Sequence, residues 1–162
     1  MSGAVDAEMV NAFLGGTINV LKTMCQTVPV SGKASLKTER EPGGDISGAI
    51  PLTGDKRGIV VLSFSKEAII TIVSRMLYEE KSEIDAEVKD AVGEITNMIA
   101  GDSRKNLEAL GMKLEAGIPE IFLNGSGNIY SNISESAKTV AIPLKTDKEE
   151  SFSVEFTFEQ IN

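Results

Sequence analysis

The sequence predicts an α+β domain of two layers, with helices packed on a largely antiparallel β-sheet. Segments with apolar residues at helical spacing and segments of period two follow one another in the order helix, strands, helix, helix, strands. The 162 residues are 41% hydrophobic and 25% charged, the make-up of one ordinary globular domain over 1–162. Most of the boundaries between these segments carry Gly, Pro or a helix-capping residue.

The first helix runs from Asp6 to about Thr27, with Val10, Phe13, Leu14, Thr17, Leu21 and Met24 on one side. Pro29 stops it, and Glu39 to Asp45, rich in charge and Gly, reads as a loop. Ile46 to Thr53 and Gly58 to Phe64 form a hairpin turned by Gly54, Asp55, Lys56 and Arg57. Ser65 N-caps a helix through Ala68, Ile69, Ile72, Val73, Met76 and Leu77, which gives way to the acidic stretch Glu79 to Glu83. A longer helix runs from about Asp85 to Leu110, with Gly111 as its stop. Met112 to Leu123 holds a further strand. Ala137 to Lys145 alternates Val140, Ile142 and Leu144 with polar or small residues, and Ser151 to Glu159 alternates Phe152, Val154, Phe156 and Phe158 with Ser, Glu and Thr. Both read as half-exposed strands. Pro143 has no N–H to give a ladder, so an edge or a bulge is expected there.

Composition removes several chemistries. The chain has 0 His, which excludes His-based triads, His-dependent zinc sites and the commonest general base. Catalysis must use carboxylates, amides or hydroxyls. Cys25 is the 1 cysteine, so it has no disulfide partner in the chain and no imidazole to activate it; it reads as helix packing. The net charge of −8 argues against nucleic acid and anionic membranes, and favours a partner with a cationic site. No Gly-rich phosphate loop leads into Lys-Ser or Lys-Thr. No apolar run approaches the roughly 20 residues that span a bilayer, and Met1 to Val10 lacks the regions of a signal peptide, so the cytoplasm is the expected compartment.

The long helix carries the chemistry. Val88, Ala91, Val92, Ile95, Ile99, Asn106 and Leu110 cluster on one side, leaving Asp90, Glu94, Asn97, Gly101, Arg104 and Glu108 on the other. Glu94 and Asn97, three apart, project as neighbours about 60° from each other around the axis. Gly101 follows on the same face. A Gly inside an exposed helix costs about 0.8–1 kcal/mol relative to Ala, and Gly93 adds a second such cost. Missing bulk there lets another backbone come close, with Gly101 and Asp90 as partner contacts. The spacing alone also describes an ordinary solvated helix face.

The segment Ala91-Val-Gly-Glu-Ile-Thr-Asn-Met-Ile-Ala-Gly101 resembles the signature helix of the CheX-type chemotaxis phosphatases, relatives of CheC and FliY. The resemblance extends over nearly the whole chain, through Val10-Asn-Ala-Phe-Leu-Gly15, the Gly58 to Ser65 strand entering a helix, and two strands near the end. It implies a phosphatase that removes the aspartyl phosphate of CheY, with Glu94 and Asn97 reaching into the regulator's active site. Hydrolysis proceeds by in-line attack of water, so the tasks are positioning and charge balance. A carboxamide both donates and accepts, which suits Asn97 to orient the water. Glu94 would pair with the Lys that regulators keep beside the phosphoryl group. The chain itself shows no compact carboxylate cluster, so no metal site or cofactor of its own is expected, and Mg2+ belongs to the partner's active site. The resemblance further implies a homodimer joined through the sheets, which the strand Ser151 to Glu159 would permit. The rival reading is a non-catalytic module that binds CheY or builds the flagellar switch.

The first helix repeats the pattern: Glu8, Asn11 and Gly15 correspond to Glu94, Asn97 and Gly101, and Leu21 to Leu107. This reads as an internal pseudo-repeat. CheC-like relatives use two such sites and CheX-like ones one, so Glu8 and Asn11 form a candidate second site, placed where a terminal helix frays.

Overall fold

The computed structural model describes residues 6–37, 43–125, 127, 129–130 and 133–159. The elements are α1 (Ala7–Met24), β1 (Val30–Ser31), β2 (Ser35–Lys37), β3 (Ile46–Gly54), β4 (Gly58–Phe64), α2 (Lys66–Leu77), α3 (Ala86–Ala109), β5 (Leu114–Ala116), β6 (Glu120–Leu123), β7 (Lys138–Lys145) and β8 (Ser151–Phe158). The strands form one antiparallel sheet in the order β1-β7-β8-β4-β3-β5, with β2 also on β7 and β6 also on β3. The expected α+β architecture and hairpin are present. Residues 38–42 of the expected loop lie outside the described residues.

Each helix begins where a side chain can receive its free N–H groups. Asp6 accepts from Glu8 and Met9, Ser65 from Ala68, and Asp85 from Val88. Gly111, at φ 92°, follows α3 in the left-handed region that ends helices. The core lies between the helices and one sheet face, where Phe13 of α1 stacks on Phe156 at 4.5 Å and Phe64 on Phe152 at 5.6 Å. Burying side chains of this kind contributes roughly 1.5–3 kcal/mol each.

Two glycines let α3 sit deep in this layer. A Cβ at Gly48 of β3 would lie 2.0 Å from Thr96 Oγ1, so this turn of α3 rests on bare strand backbone. A Cβ at Gly16 of α1 would lie 2.5 Å from Ser103 Oγ and 2.9 Å from Ser103 N, so the two helices touch there backbone to backbone. Asn106 Nδ2 donates to Ala12 O at 3.0 Å on one side of that contact, and Asn19 donates to Asp102 on the other. The pairing runs in opposite directions along the two helices, so α1 and α3 are antiparallel.

Several expectations need correction. Met24 is 49% exposed, while Met9, Ala12, Gly16 and Val20 complete the buried side of α1. Asn106 and Leu110 are not in the buried stripe of α3: Asn106 bridges to α1, Leu110 is the exposed C-cap, and Ser103 and Leu107 are buried instead. A 24-residue helix that crosses another turns its buried face with it. Met112 to Leu123 is two short strands, β5 and β6, on successive parts of β3, broken at Gly117. The expectation at Pro143 does hold, since the ladder on that side of β7 breaks there, where β1 gives way to β2, and its carbonyl accepts from Gly32 at 2.7 Å. The strand Ser151–Phe158 is not a free edge but lies between β7 and β4.

Nor is that strand half-exposed. On the sheet face away from the helices, Ala49, Ile59 and Val61 pack with Ile129 and Tyr130. Glu155, 3% exposed, accepts from Tyr130 Oη at 2.8 Å and pairs with Lys37 Nζ at 2.6 Å. A carboxylate buried this deeply needs both partners to offset its desolvation.

Candidate functional site

The face of α3 that cannot reach the core carries the candidate residues. Val92, Ile95, Thr96 and Ile99 are buried, Thr96 pointing at Gly48 and donating its hydroxyl to Val92 O at 2.7 Å. Their burial turns the opposite side outward, and Asp90, Glu94 and Asn97 are exposed as expected. Within the described residues, Glu94 and Asn97 make no hydrogen bond or ion pair. A carboxylate and a carboxamide thus stand side by side with their polar atoms available to a partner.

Gly101 continues this face, and a Cβ built there meets nothing within 4 Å. No packing within the molecule requires a glycine at that position. Gly93 differs, since its Cβ would touch Ile121 Cδ1 at an ordinary 3.8 Å.

Neither Glu94 nor Asn97 lines the cavities of about 200–350 Å³ found elsewhere on the molecule. A cavity of about 350 Å³ opens on the other side of the sheet among Ala49, Ile59, Phe122 and Ile129. Glu94 and Asn97 therefore offer reactive groups without a cleft of their own, an arrangement suited to entering a cleft on another molecule. Among the described residues no cluster of three or more acidic or Cys side chains could hold a metal ion, and no helix is long and apolar enough to cross a membrane. Cys25 is fully buried, and burial pushes its thiol up to about 12, so it stays protonated and takes no part in nucleophilic chemistry.

Glu8, Asn11 and Gly15 are also exposed, on α1. The antiparallel pairing puts Glu8 and Asn11 beside Asn106, Ala109 and Leu110, at the far end of α3 from Glu94 and Asn97. The structure does not bring the two pairs together into one site.

Sequence reasoning missed what ties down the start of α3. Lys81, in the linker between α2 and α3, places its ammonium 2.9 Å from Asp85 and 2.6 Å from Glu87. Its N–H also bonds Ser74 Oγ at 3.0 Å, so the linker is tied to both helices. The hydrogen bond from Lys81, with that from the Val88 N–H, holds the Asp85 carboxyl below its ordinary range. Tyr78, the C-cap of α2 at φ 53°, accepts a hydrogen bond from Gln26, itself at φ 48° just beyond α1. Only the single cation Lys81 among the acidic residues of Glu79 to Glu87 hinted at this clamp.

Residues 46–156 match the family model described as chemotaxis phosphatase CheX. A CheY-P phosphatase CheX from Thermotoga maritima is 28% identical over 151 residues, covering 93% of this chain and 95% of its own. The crystal structure of a chemotaxis protein CheX from Desulfovibrio desulfuricans superposes with a TM-score of 0.83 at 36% identity, covering 94% of this chain and 99% of the other. The CheX-CheY-BeF3-Mg2+ complex from Borrelia burgdorferi contains a chain with the same fold, at a TM-score of 0.77, 21% identity and coverage of 97% and 100%.

Proposed function

We propose that this chain, which belongs to the chemotaxis phosphatase CheX family and is accordingly a phosphatase, hydrolyses the aspartyl phosphate of a CheY-type response regulator with Glu94 and Asn97. The observation that carries the assignment is the exposed, unpaired Glu94–Asn97 pair on an outward helix face that lines no cavity. Such a face has no pocket for a small phosphate ester. It can instead insert into the shallow pocket where a receiver domain holds its phosphoryl group.

Asn97 orients the attacking water. Its carboxamide accepts a hydrogen bond from the water and donates one toward the phosphoryl oxygens, the role a Gln plays in GTPases. Glu94 pairs with the regulator's Lys beside the phosphoryl group and fixes the position of Asn97. Magnesium is held by the regulator and balances the phosphoryl charge there. The reaction needs no base of high affinity for protons, which is consistent with a chain of 0 His. Asp90 and Gly101 lie above and below the pair and contact the regulator's backbone. We further propose that the protein works in the cytoplasm, where phosphorylated regulators reside, and as a homodimer.

A time course of phosphate loss from a phosphorylated CheY-type receiver, with and without this protein, tests the reading. A catalytic amount should shorten the half-life of the phosphoprotein. Binding without acceleration would reduce the chain to a module that only holds the regulator.

A further inference from the structure

We propose that the phosphorylated regulator, while Glu94 and Asn97 reach its phosphoryl group, also rests on the sheet edge beside them, through Ile118 and Arg104. The inference rests on the proposed function and extends it to where the receiver domain sits. Two contacts fix that edge against α3. A Cβ at Gly93 would lie 3.8 Å from Ile121 Cδ1 of β6, and Arg104 Nη1 donates to Leu114 O of β5 at 3.3 Å. At 100° per residue, Gly93 and Arg104 lie only about 40° and 20° around the helix from Asn97. Ser103 and Asn106, which meet α1, lie about 120° and 180° from it. The flank of α3 next to Asn97 therefore borders the β5–β6 edge, and α1 lies on the opposite side.

Ile118 stands in that edge, between the two contacts. Leu114 lies against Arg104 and Ile121 against Gly93. Ile118 thus falls roughly level with Asn97 along the helix, about one helix diameter, 10–12 Å, to its side. The register explains its exposure. Leu52 pairs with Ala116 and Ala49 with Glu120, so Gly117, Ile118 and Pro119 oppose only Ile50 and Pro51. This bulge brings Gly117 so close that a Cβ would lie 2.7 Å from Pro51 Cγ, and it leaves Ile118 82% exposed. The bulge and Pro119, which has no N–H, keep another strand from pairing here, which favours a folded partner over the sheet edge of a second copy. A standard protein–protein interface covers about 800 Å² on each partner, a patch roughly 16 Å in radius, so a receiver centred on Asn97 covers Ile118.

Arg104 adds charge complementarity. It is the one cation among Asp90, Glu94, Asn97, Gly101, Arg104 and Glu108 of the outward stripe. It lies about 10 Å along the axis from Asn97, with the open Gly101 between them. Its Nε is buried without a partner among the described residues, and its guanidinium is already held by Leu114 O. The regulator's pocket is ringed by the carboxylates that hold Mg2+ and carries a charged phosphoryl group. A guanidinium fixed in advance offers its N–H fork to such carboxylates with little further loss of freedom.

These contacts are equal in the ground and transition states, so their loss raises KM with a much smaller change in kcat. With a CheY-type receiver carrying its aspartyl phosphate as substrate, Ile118→Ser should raise KM about tenfold. Its melting temperature should stay that of the parent protein, because the side chain is exposed. Arg104→Gln should raise KM by about three- to tenfold and flatten its dependence on salt, and Arg104→Lys should restore both in part. Affinity for a beryllofluoride-loaded receiver should fall in parallel. Val30→Ser, 66% exposed on the opposite edge of the sheet, is the control and should leave KM unchanged. An unchanged KM in Ile118→Ser would overturn the inference, as would an equal rise in Val30→Ser. So would a changed sedimentation behaviour without a KM effect, which would assign the edge to a second copy of this chain. A rise in KM for Arg104→Gln with its salt dependence intact would remove the charge contact. Asn97→Ala, assayed alongside, separates the two readings: if it keeps full kcat, the proposed function fails, whereas a lost kcat with an inert Ile118 overturns only the edge contact.

Discussion

The pairs Glu94–Asn97 on α3 and Glu8–Asn11 on α1 have the same chemistry, the same spacing and the same exposure, yet their settings differ. Burial repeats with them, since Leu21 and Leu107 are both buried in the core at matching positions. The antiparallel contact at Gly16 and Ser103 sets the α1 pair beside the C-terminal end of α3, apart from the α3 pair in the middle of that helix. Glu94 and Asn97 lie well inside α3, with helical turns on both sides. Glu8 is the second residue of α1, directly behind its cap Asp6, whose carboxylate accepts the Glu8 N–H at 3.0 Å. The first turn of a helix opens most readily, so a side chain there is held less firmly than one in a central turn. Next to the α1 pair is an open groove of about 310 Å³ along the C-terminal end of α3, whereas on the N-terminal side of the α3 pair Lys81 ties the linker to the first turn of α3. Two matching side chains make a reactive site only where the surrounding surface fixes them and receives a partner.

The sharpest break in this comparison is Asn97→Ala. It should lower kcat about a hundredfold, the cost of losing the positioning of a reactant, while affinity for a beryllofluoride-loaded receiver changes little. Equal losses of rate and binding would refute the positioning role of the amide.

Next comes Gly16→Ala, which strikes the contact both pairs share. Its Cβ would lie 2.5 Å from Ser103 Oγ and 2.9 Å from Ser103 N, so the helices must part, at a cost of about 1–3 kcal/mol. Chemical denaturation measures it, and an unchanged midpoint would show that α1 shifts freely over α3.

Gly101→Leu separates stability from docking. The position is open, so replacing an exposed helical Gly should stabilise the isolated protein by up to about 1 kcal/mol. Activity at low regulator concentration should nevertheless drop several-fold, because the new side chain stands where the partner's backbone approaches. A higher melting temperature with full activity would move the contact toward Asp90 and Glu94.

The smallest effect is expected from Glu8→Ala combined with Asn11→Ala, which should change phosphatase activity by less than half. The matching double variant at Glu94 and Asn97 should abolish it. Comparable losses from the two would establish two working sites and erase the functional difference between the helices.

Much of this was legible in the sequence, because the signals were local. Asp6, Ser65 and Asp85 precede helical periodicity and cap it in the structure, and alternation marked the strands around Val140 and Val154. Period and capping depend on neighbours a few residues apart, which a single chain displays in full. The outward placement of Glu94 and Asn97 follows from the same periodicity. What only the tertiary structure decided depends on residues far apart in sequence. Gly48 reads as an ordinary strand residue until Thr96 is found resting on it. Asn106 looks like part of an apolar stripe until Ala12 of another helix claims its amide. Strand Ser151–Phe158 alternates like a half-exposed strand, but Lys37 and Tyr130 arrive from elsewhere in the chain to bury Glu155. The sequence alone therefore determined which residues form helices and strands and which face of α3 is polar. Where each copy of the Glu-x-x-Asn pattern stands was decided by the antiparallel crossing of α1 and α3, because only packing sets Glu8 and Asn11 beside Asn106 and Leu110 while Glu94 and Asn97 stay in the middle of α3.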